Sequence, residues 1–168
     1  MTHATLTPTR TSWLHAARLP AALLALACAL PAAWADSRQM PEPSMLPASK
    51  QECAGCHMAY PPGMLPASSW SRMMKGLDQH YGTDASLDPA MVRQISVWLE
   101  AHAGTYKRVR EAPPQDRITQ SAWFERKHRD IEPAVWKRAS IGSRANCMAC
   151  HTRADQGDFD DDRVRIPK

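Results

Sequence analysis

The sequence predicts a mainly α-helical fold made of two small lobes. Several stretches carry apolar residues at positions i, i+3, i+4 and i+7, the spacing of one face of a helix. The pentapeptide pattern Cys-x-x-Cys-His occurs once in each half of the chain, at residues 53–57 and 147–151. A charged, proline-containing stretch at residues 106–117 lies between the two motifs and is expected to link the lobes.

The repeated pentapeptide predicts two covalently bound haem c groups. In this pattern two thiols add to the haem vinyl groups as thioethers, and the adjacent histidine binds the iron. Zinc is the alternative, but zinc ribbons set their second cysteine pair about 15 to 20 residues on, whereas about 90 residues separate these motifs. The fold is therefore expected to consist of two small haem-binding lobes, each packed around its cofactor. The predicted attachment residues are Cys53, Cys56, Cys147 and Cys150.

Residues 1–35 are typical of a cleavable secretory signal peptide. A weakly basic start precedes an apolar Leu/Ala run over residues 19–30, and residues 33–35 (AWA) supply the cleavage site. Cleavage after Ala35 would remove Cys28, so that all remaining cysteines lie in the two motifs. The expected location is the periplasm, an oxidising compartment in which no cysteine is left over for a disulfide.

The charge of the chain gives no reason to expect a nucleic-acid partner. The formal net charge of +4 at pH 7 falls to +2 once Arg10 and Arg18 leave with the signal peptide. Four haem propionates would offset the remainder. The acidic run at residues 158–162 is expected to be a solvent-exposed tail rather than a calcium loop, because the glycine and glutamate spacing of an EF-hand is absent.

The N-terminal lobe, residues 36–105, is expected to contain three helices. The first starts at about Lys50, because residues 49–52 (SKQE) form a capping-box pattern, and it would carry the first motif. A second starts at about Ser69, and a third follows residues 88–89, an N-cap aspartate and an N1 proline. The glycines expected to end the second and third helices are Gly82 and Gly104.

The C-terminal lobe, residues 106–168, is expected to follow a different plan. A helix from about Gln120 is followed by a short turn of helix at residues 133–138. Ser143 is expected to cap a helix that carries the second motif. Because the two halves share no repeat beyond the pentapeptides, the lobes are not expected to be duplicates.

His57 and His151, each directly after a motif cysteine, are the predicted proximal ligands of the two irons. His80 is favoured as a distal ligand, because it continues the apolar stripe of the second helix and so is expected to point inward. His128 is favoured at the second site, since it follows Phe124 by four residues on one helical face.

Two other residues remain alternatives for the distal positions. His102 lies in the body of the predicted third helix, where a core or boundary role is the more usual one. Met64 is the best methionine candidate, because other methionines of the first lobe lie on or beside apolar stripes and are expected to fill the core.

Four runs of the sequence resemble those of a known family. The runs ECAGCHMAYPPGMLPASSW, GLDQHYGTDASLD, WFERKHRDIEPAVW and SRANCMACHTRADQGDF are similar to those of the bacterial dihaem cytochromes c. The resemblance implies an N-terminal lobe similar to class I cytochromes c, a smaller haem-bearing C-terminal lobe, and two histidine ligands at each iron. It also implies redox partners such as a small oxygen-binding haem protein or a membrane b-type cytochrome. The ligand pairs it implies are His57 with His80 and His151 with His128.

The expected function is electron transfer, and no catalytic residue is indicated. Two imidazoles favour ferric iron more than a methionine and an imidazole do, so low potentials are predicted. The alternative is a haem enzyme or gas-binding sensor with one five-coordinate iron, which would follow if His80 or His128 were not a ligand. A third interpretation is a soluble subunit of a larger respiratory complex.

Overall fold

Five short α-helices, joined by 3-10 turns and loops, make up the regular structure of residues 45–168, the part of the chain that the computed structural model describes. Within these residues no strand forms, and one isolated antiparallel bridge joins His80 and Thr83. The predicted mainly α fold is confirmed. The predicted signal peptide, residues 1–35, lies outside the described residues. The helices are α1 (Pro47–Cys53), α2 (Ala67–Lys75), α3 (Pro89–Ala101), α4 (Ala122–Lys127) and α5 (Pro133–Trp136).

The core of the N-terminal half lies between α2 and α3. The apolar stripes of these two helices face each other, as their spacing predicts. Trp70 is buried there, and its indole nitrogen donates a hydrogen bond of 2.8 Å to the carbonyl oxygen of Pro62. This bond also fastens the loop that leaves the first motif. The buried core residues are Leu65, Trp70, Met74, Ile95 and Leu99.

The first helix starts earlier than its capping-box pattern predicts. Pro47 occupies its first turn, and Leu46, at the N-cap, makes no side-chain capping bond. Because proline fixes φ near the helical value and lacks an amide proton, it starts the helix without a polar cap. Ser49 is therefore inside the helix and buried, and it caps nothing. The helix ends at Cys53, so the rest of the first motif lies in the turn that follows rather than on a helix.

Neither predicted glycine caps its helix. α2 ends before Gly76, and Gly82 lies in the following loop with φ of +94°. α3 ends at Ala101, while Gly104 lies further on, where its amide donates to the carbonyl oxygen of Leu65 at 2.8 Å. A Cβ on Gly104 would stand 2.6 Å from Cγ1 of Val109 and would collide with the backbone. This glycine is needed for close packing of two chain segments rather than for helix termination.

One predicted N-cap is confirmed, and a second forms at a serine that the sequence pattern had not singled out. Asp88 caps α3, its carboxylate accepting from the amide of Ala90 at 2.7 Å, with Pro89 at the next position. Ser121 caps α4, its hydroxyl oxygen accepting from the amide of Phe124 at 3.3 Å. The predicted short turn at 133–138 forms as α5.

The second motif is not on an α-helix, contrary to the prediction. Ser143 accepts a hydrogen bond from the amide of Ala145 and so closes a local turn instead of capping a helix. The motif forms a single 3-10 turn, Cys147–Ala149, and the amide of His151 donates to the carbonyl oxygen of Cys147 at 2.8 Å. Such i to i+2 bonds of serine compete with helix formation.

The two halves of the described chain are in direct contact. The hydroxyl of Tyr60, just after the first motif, donates to the carbonyl oxygen of Ala145, just before the second motif, at 2.7 Å. Arg72 of α2 reaches Asp116 of the linking segment at 2.6 Å. All described residues belong to one compact unit, and the predicted lobe boundary at residue 105 stays a prediction. No helix among residues 45–168 has the length and apolar character that a bilayer crossing requires.

Candidate haem-binding sites

The first motif is a turn that leaves the end of α1. Cys53 is the last helical residue, and Cys56 lies exposed in the turn. Burial raises the pKa of the Cys53 thiol, which keeps it protonated. Neither cysteine forms a disulfide, so both sulfurs are available for thioether bonds.

A backbone hydrogen bond orients the ring of His57. Its Nδ1 lies 2.7 Å from the carbonyl oxygen of Met58. Because a carbonyl oxygen can only accept, Nδ1 is the donor, and Nε2 is the nitrogen that is available to a metal ion. This is the arrangement of a metal-binding imidazole whose second nitrogen is held by an outer partner.

His80 faces His57 from the loop between α2 and α3. Its ring centre lies 6.1 Å from that of His57, and the two ring planes are 26° apart. The apolar stripe of the second helix predicted that His80 lies on that helix. In the structure His80 instead follows the 3-10 turn Leu77–Gln79. Burial lowers the pKa of His80, with further repulsion from His57 and Arg117, and so favours the neutral ring that binds a metal.

The second site brings together residues that are far apart in sequence. His128, which ends α4, and His151 of the second motif have ring centres 6.2 Å apart and ring planes 77° apart. Nδ1 of His128 lies 2.9 Å from the carbonyl oxygen of Phe124, so Nε2 of His128 is free, as in His57. The Phe124 ring stacks on His128 at 4.0 Å and fixes its orientation.

Burial keeps the groups of the second site in their neutral forms. It lowers the pKa of His128 and of His151. Repulsion from Arg144 lowers the pKa of His128 further, and repulsion from His128 lowers that of His151. Burial raises the pKa of the Cys147 thiol to about 11 and raises that of Cys150. The site is thus a desolvated apolar environment, as a porphyrin requires.

One cavity contains the second motif and both of its histidines. Its walls come mainly from apolar side chains of residues 106–168, and Met64 reaches it from the other half of the chain. Met64 is 3% exposed and therefore contributes to the wall of the second site. The apolar side chains of this wall include Val109, Ile118, Phe124, Trp136, Ile141 and Phe159.

The separation of the histidines fits a metal ion between them. Two imidazoles on opposite faces of one metal ion hold their ring centres about 6 Å apart, because each metal–nitrogen bond is about 2 Å long and each nitrogen lies about 1 Å from its ring centre. Both pairs match this value. Within residues 45–168 no group of three His, Cys, Asp or Glu side chains could hold a metal ion alone.

His102 belongs to neither pair. It is the C-cap residue that follows α3, and its side chain is exposed. Its Nδ1 lies 2.8 Å from the carbonyl oxygen of Trp98. Its ring rests against the Trp98 ring at 5.2 Å. It is therefore neither a core residue nor on the body of the helix, because the helix ends one residue before it.

Sequence reasoning missed the aromatic rings that support the proximal histidines. Tyr60 stacks on His57 with ring centres 4.9 Å apart, and Phe159 lies 5.5 Å from His151. Burial raises the pKa of the Tyr60 hydroxyl, which remains a hydrogen-bond donor. The spacing of Tyr60, three residues after His57, was a weak signal of this contact. No periodic pattern indicated Phe159.

Comparison with known proteins identifies the family of this chain. Residues 49–159 match the family described as dihaem cytochrome c. The chain is similar to the solved structure of a dihaem cytochrome c from Rhodobacter sphaeroides, with 40% identity over 69% of this chain and 98% of that one, and a TM-score of 0.62. It is also similar to a dihaem cytochrome c from Shewanella baltica OS155, with 37% identity over 72% of this chain and 92% of that one, and a TM-score of 0.64. No match was found among curated proteins.

The family match decides between haem and zinc. The match spans both pentapeptides and both histidine pairs. It begins at Ser49, the buried residue of α1, and ends at Phe159, whose ring lies beside His151. Haem, and not zinc, is therefore the cofactor of the two motifs. The chain belongs to the dihaem cytochrome c family and carries two haem c groups.

Proposed function

We propose that this protein is a periplasmic electron carrier with two low-potential, six-coordinate haems. Haem-based electron transfer is the activity that family membership supports. The observation that carries the proposal is the ring-centre separation within each histidine pair, 6.1 Å and 6.2 Å. That separation is the one expected for two imidazoles bound to the same iron. The proposed axial pairs are His57 with His80 and His151 with His128.

The chain's own residues hold both faces of each site closed. A bound haem iron supplies the chemistry, a one-electron change between ferric and ferrous states. The backbone carbonyl groups of Met58 and Phe124 accept from Nδ1 of one imidazole in each pair and orient its ring, so that Nε2 is the nitrogen that would bind the iron. His80 and His128 are half-buried and would cover the second face of each iron. With no open position, neither site would bind a substrate.

The same residues support low reduction potentials. Imidazole pairs favour ferric iron relative to a methionine and an imidazole, and the choice of axial ligands moves haem potentials within a span of about 0.8 V. The hydrogen bonds from Nδ1 of His57 and His128 to carbonyl oxygens would make these imidazoles stronger electron donors to a bound iron. Stronger donors stabilise the ferric state further.

The proposed location depends on residues 1–35. Mass spectrometry of the protein purified from periplasm should give a mature N-terminus at Asp36, directly after the AWA cleavage site. A full-length chain recovered with the membrane fraction would contradict the cleavable signal peptide.

Redox proteins are the proposed partners. The chain has no feature of a nucleic-acid-binding protein in its charge, and the proposed partner classes are a small oxygen-binding haem protein and a membrane b-type cytochrome. Capture from periplasmic and membrane fractions with the purified holoprotein would test them. Recovery of neither class would refute both proposed partners.

Carbon monoxide tests whether both irons are closed. Added to the dithionite-reduced holoprotein, it should leave the Soret band unchanged on the time scale of mixing, because no sixth position is free. A rapid shift that saturates at one equivalent per protein would contradict the carrier and support a gas-binding sensor or enzyme with one five-coordinate iron.

Histidine variants assign the two distal ligands. His80→Ala and His128→Ala should each produce one high-spin iron that binds one equivalent of carbon monoxide. His102→Ala is the matched control, since His102 is exposed and bonded to its own helix, and it should keep both irons low-spin. An unchanged low-spin spectrum in His80→Ala or His128→Ala would refute that ligand.

A further inference from the structure

Two buried hydrogen-bond donors face the second site without an acceptor. They are Nε1 of Trp123 and Nε of Arg144, the buried side-chain nitrogen or oxygen atoms that lack a partner within residues 45–168. Both residues line the cavity that contains the second motif. Because an unpaired buried donor is costly, and natural proteins leave few, an acceptor is expected inside this cavity.

The chemistry of the two donors restricts that acceptor. An indole nitrogen donates only, and a guanidinium group has no acceptor and stays charged. The cavity wall carries one carboxylate, Asp161, which is paired with Lys127 at 3.0 Å. The acceptor that fits these donors is therefore an anion that enters with the cofactor. The cationic side chains of the wall are Arg108, Arg126, Lys127 and Arg144.

Other contacts hold the Arg144 guanidinium in one orientation. Its Nη2 lies 3.0 Å from a carboxylate oxygen of Glu125, and its Cζ lies over the rings of Phe124 at 5.2 Å and Trp136 at 5.3 Å. Glu125 thus binds the Nη2 group of the guanidinium, while Nε remains buried without an acceptor. Phe124 also stacks on His128, so Arg144 is fixed beside the distal ligand of the second haem.

We propose that Trp123 and Arg144 donate hydrogen bonds to propionate carboxylates of the haem attached at Cys147 and Cys150. They act as positioning residues, and the charge of Arg144 raises the potential of that haem by offsetting the carboxylate. The inference rests on the proposed function, since it assumes that His128 and His151 bind the same haem.

Resonance Raman spectroscopy of the wild-type holoprotein gives the first test. The propionate bending band should shift when H₂O is replaced by D₂O, because both proposed donors exchange their hydrogens. Trp123→Phe and Arg144→Gln should each move this band in H₂O. Trp98→Phe and Arg110→Gln are the matched controls, because neither residue lines the cavity, and they should not move it.

Redox titration gives the second test. Arg144→Gln should lower the midpoint potential of one haem by about 59 mV, which is a tenfold change in the equilibrium constant of a one-electron reduction. The midpoint potential of the other haem should not change. Arg144→Lys keeps the charge but loses Nε, so it should change the Raman band with a smaller change in potential. If Arg144→Gln does not fold, the wild-type isotope shift and Trp123→Phe still decide the question.

An absent isotope shift in the wild type, with unchanged potentials in Trp123→Phe and Arg144→Gln, would overturn the proposal. A change with one variant alone would overturn the role of the other residue. Failure of the axial assignment is a separate result, because it is read from carbon monoxide binding by the wild type and not from these variants.

Discussion

At the scale of single residues, the two histidine pairs differ in the angle between their rings. The planes of His57 and His80 are 26° apart, whereas those of His128 and His151 are 77° apart. Nearly parallel rings interact with the same iron d orbital, whereas crossed rings interact with one d orbital each. With the proposed axial ligands, the two irons would therefore be electronically unequal although each is bound by two histidines.

This difference predicts two low-spin ferric signals in electron paramagnetic resonance. The His57 and His80 site should give a rhombic signal, because parallel rings separate two d orbitals in energy. The His128 and His151 site should give a highly anisotropic signal, because crossed rings leave these orbitals close together. The His80→Ala variant should lose the rhombic signal and keep the other.

Two identical signals in the wild type would contradict the ring geometry of one site. Loss of the anisotropic signal in His80→Ala would show that this signal, and not the rhombic one, comes from the iron near His57 and His80.

At the scale of elements, the linking segment is fastened to the loop that carries His80. The Tyr81 hydroxyl lies 3.2 Å from the carbonyl oxygens of Gln115 and Asp116, and the Arg117 guanidinium lies over the Tyr81 ring at 4.1 Å. Two hydrogen bonds of 2.9 Å and 2.6 Å join the Arg72 guanidinium to the Asp116 carboxylate. The segment that sequence analysis treats as a linker thus positions the residue next to a proposed ligand.

The same junction contains unusual backbone geometry. Tyr81, Gln115 and Asp116 have φ of 51°, 55° and 56°, in the left-handed region that residues other than glycine seldom adopt. Such conformations persist where surrounding contacts determine them and are frequent at functional sites. The contacts between Arg72, Tyr81 and the linking segment are those that oppose this strain.

Removing one charge from this junction should weaken it in a pH-dependent way. Asp116→Asn keeps the backbone preference, since asparagine tolerates the left-handed region, but loses the ion pair with Arg72. The hydrogen bond from Arg72 lowers the pKa of Asp116, so the pair stabilises the fold above the ordinary aspartate pKa of about 4 and is lost as pH falls through the lowered value. Urea unfolding should therefore show a small loss of stability at pH 7 that disappears in acid.

Asp130→Asn is the matched control for this prediction. Asp130 lies 3.7 Å from Arg129, and both side chains are largely exposed, so its removal should leave the urea midpoint unchanged at either pH. Equal effects of the two variants would indicate a general charge effect and not a local junction.

At the scale of the whole molecule, the two halves differ in how they build a core. The N-terminal half has a cluster of buried side chains between α2 and α3. In the C-terminal half, the buried side chains Val109, Phe124 and Ile141 line the cavity of the second site. The haem is therefore a larger part of the core in the second half than in the first.

This asymmetry predicts unequal effects of removing each haem. Cys147→Ser/Cys150→Ser should prevent attachment of the second haem and expose the cavity wall, whose large side chains each gain about 1.5–3 kcal/mol from burial. Limited trypsin digestion should then cut residues 106–168 much faster while residues 67–101 stay protected. The measurement is the time course of fragments by mass spectrometry.

The reciprocal variant, Cys53→Ser/Cys56→Ser, controls for the general effect of losing a haem. It should leave α2 and α3 partly protected, because their apolar cluster remains. Equal rates of digestion at both regions in the two variants would contradict the asymmetry.

Much of the secondary structure could be predicted from local sequence. Asp88 with Pro89 starts α3, and α4 begins close to its predicted start at Gln120, because helix starts depend on a few neighbouring residues. Predictions from the sequence failed where contacts between distant segments determine the position or the exposure of a residue. The acidic run 158–162 is solvent-exposed only in part. Asp161 and Asp162 are exposed, but the Asp158 carboxylate is 13% exposed and lies 3.1 Å from Arg163 and 3.5 Å from Arg153. Sequence spacing does not show which arginines will fold back onto it.

The sequence by itself determined the cofactor, and it predicts the attachment and proximal residues, because thioether formation and proximal ligation need only five consecutive residues. It also indicated His80 and His128, but it placed His80 on the wrong element. Only the tertiary structure decided that His80 faces His57 and that His128 faces His151, since these pairs join separate segments whose paths depend on packing. The same holds for the unpaired donors of Trp123 and Arg144, which become evident only when burial removes water from them.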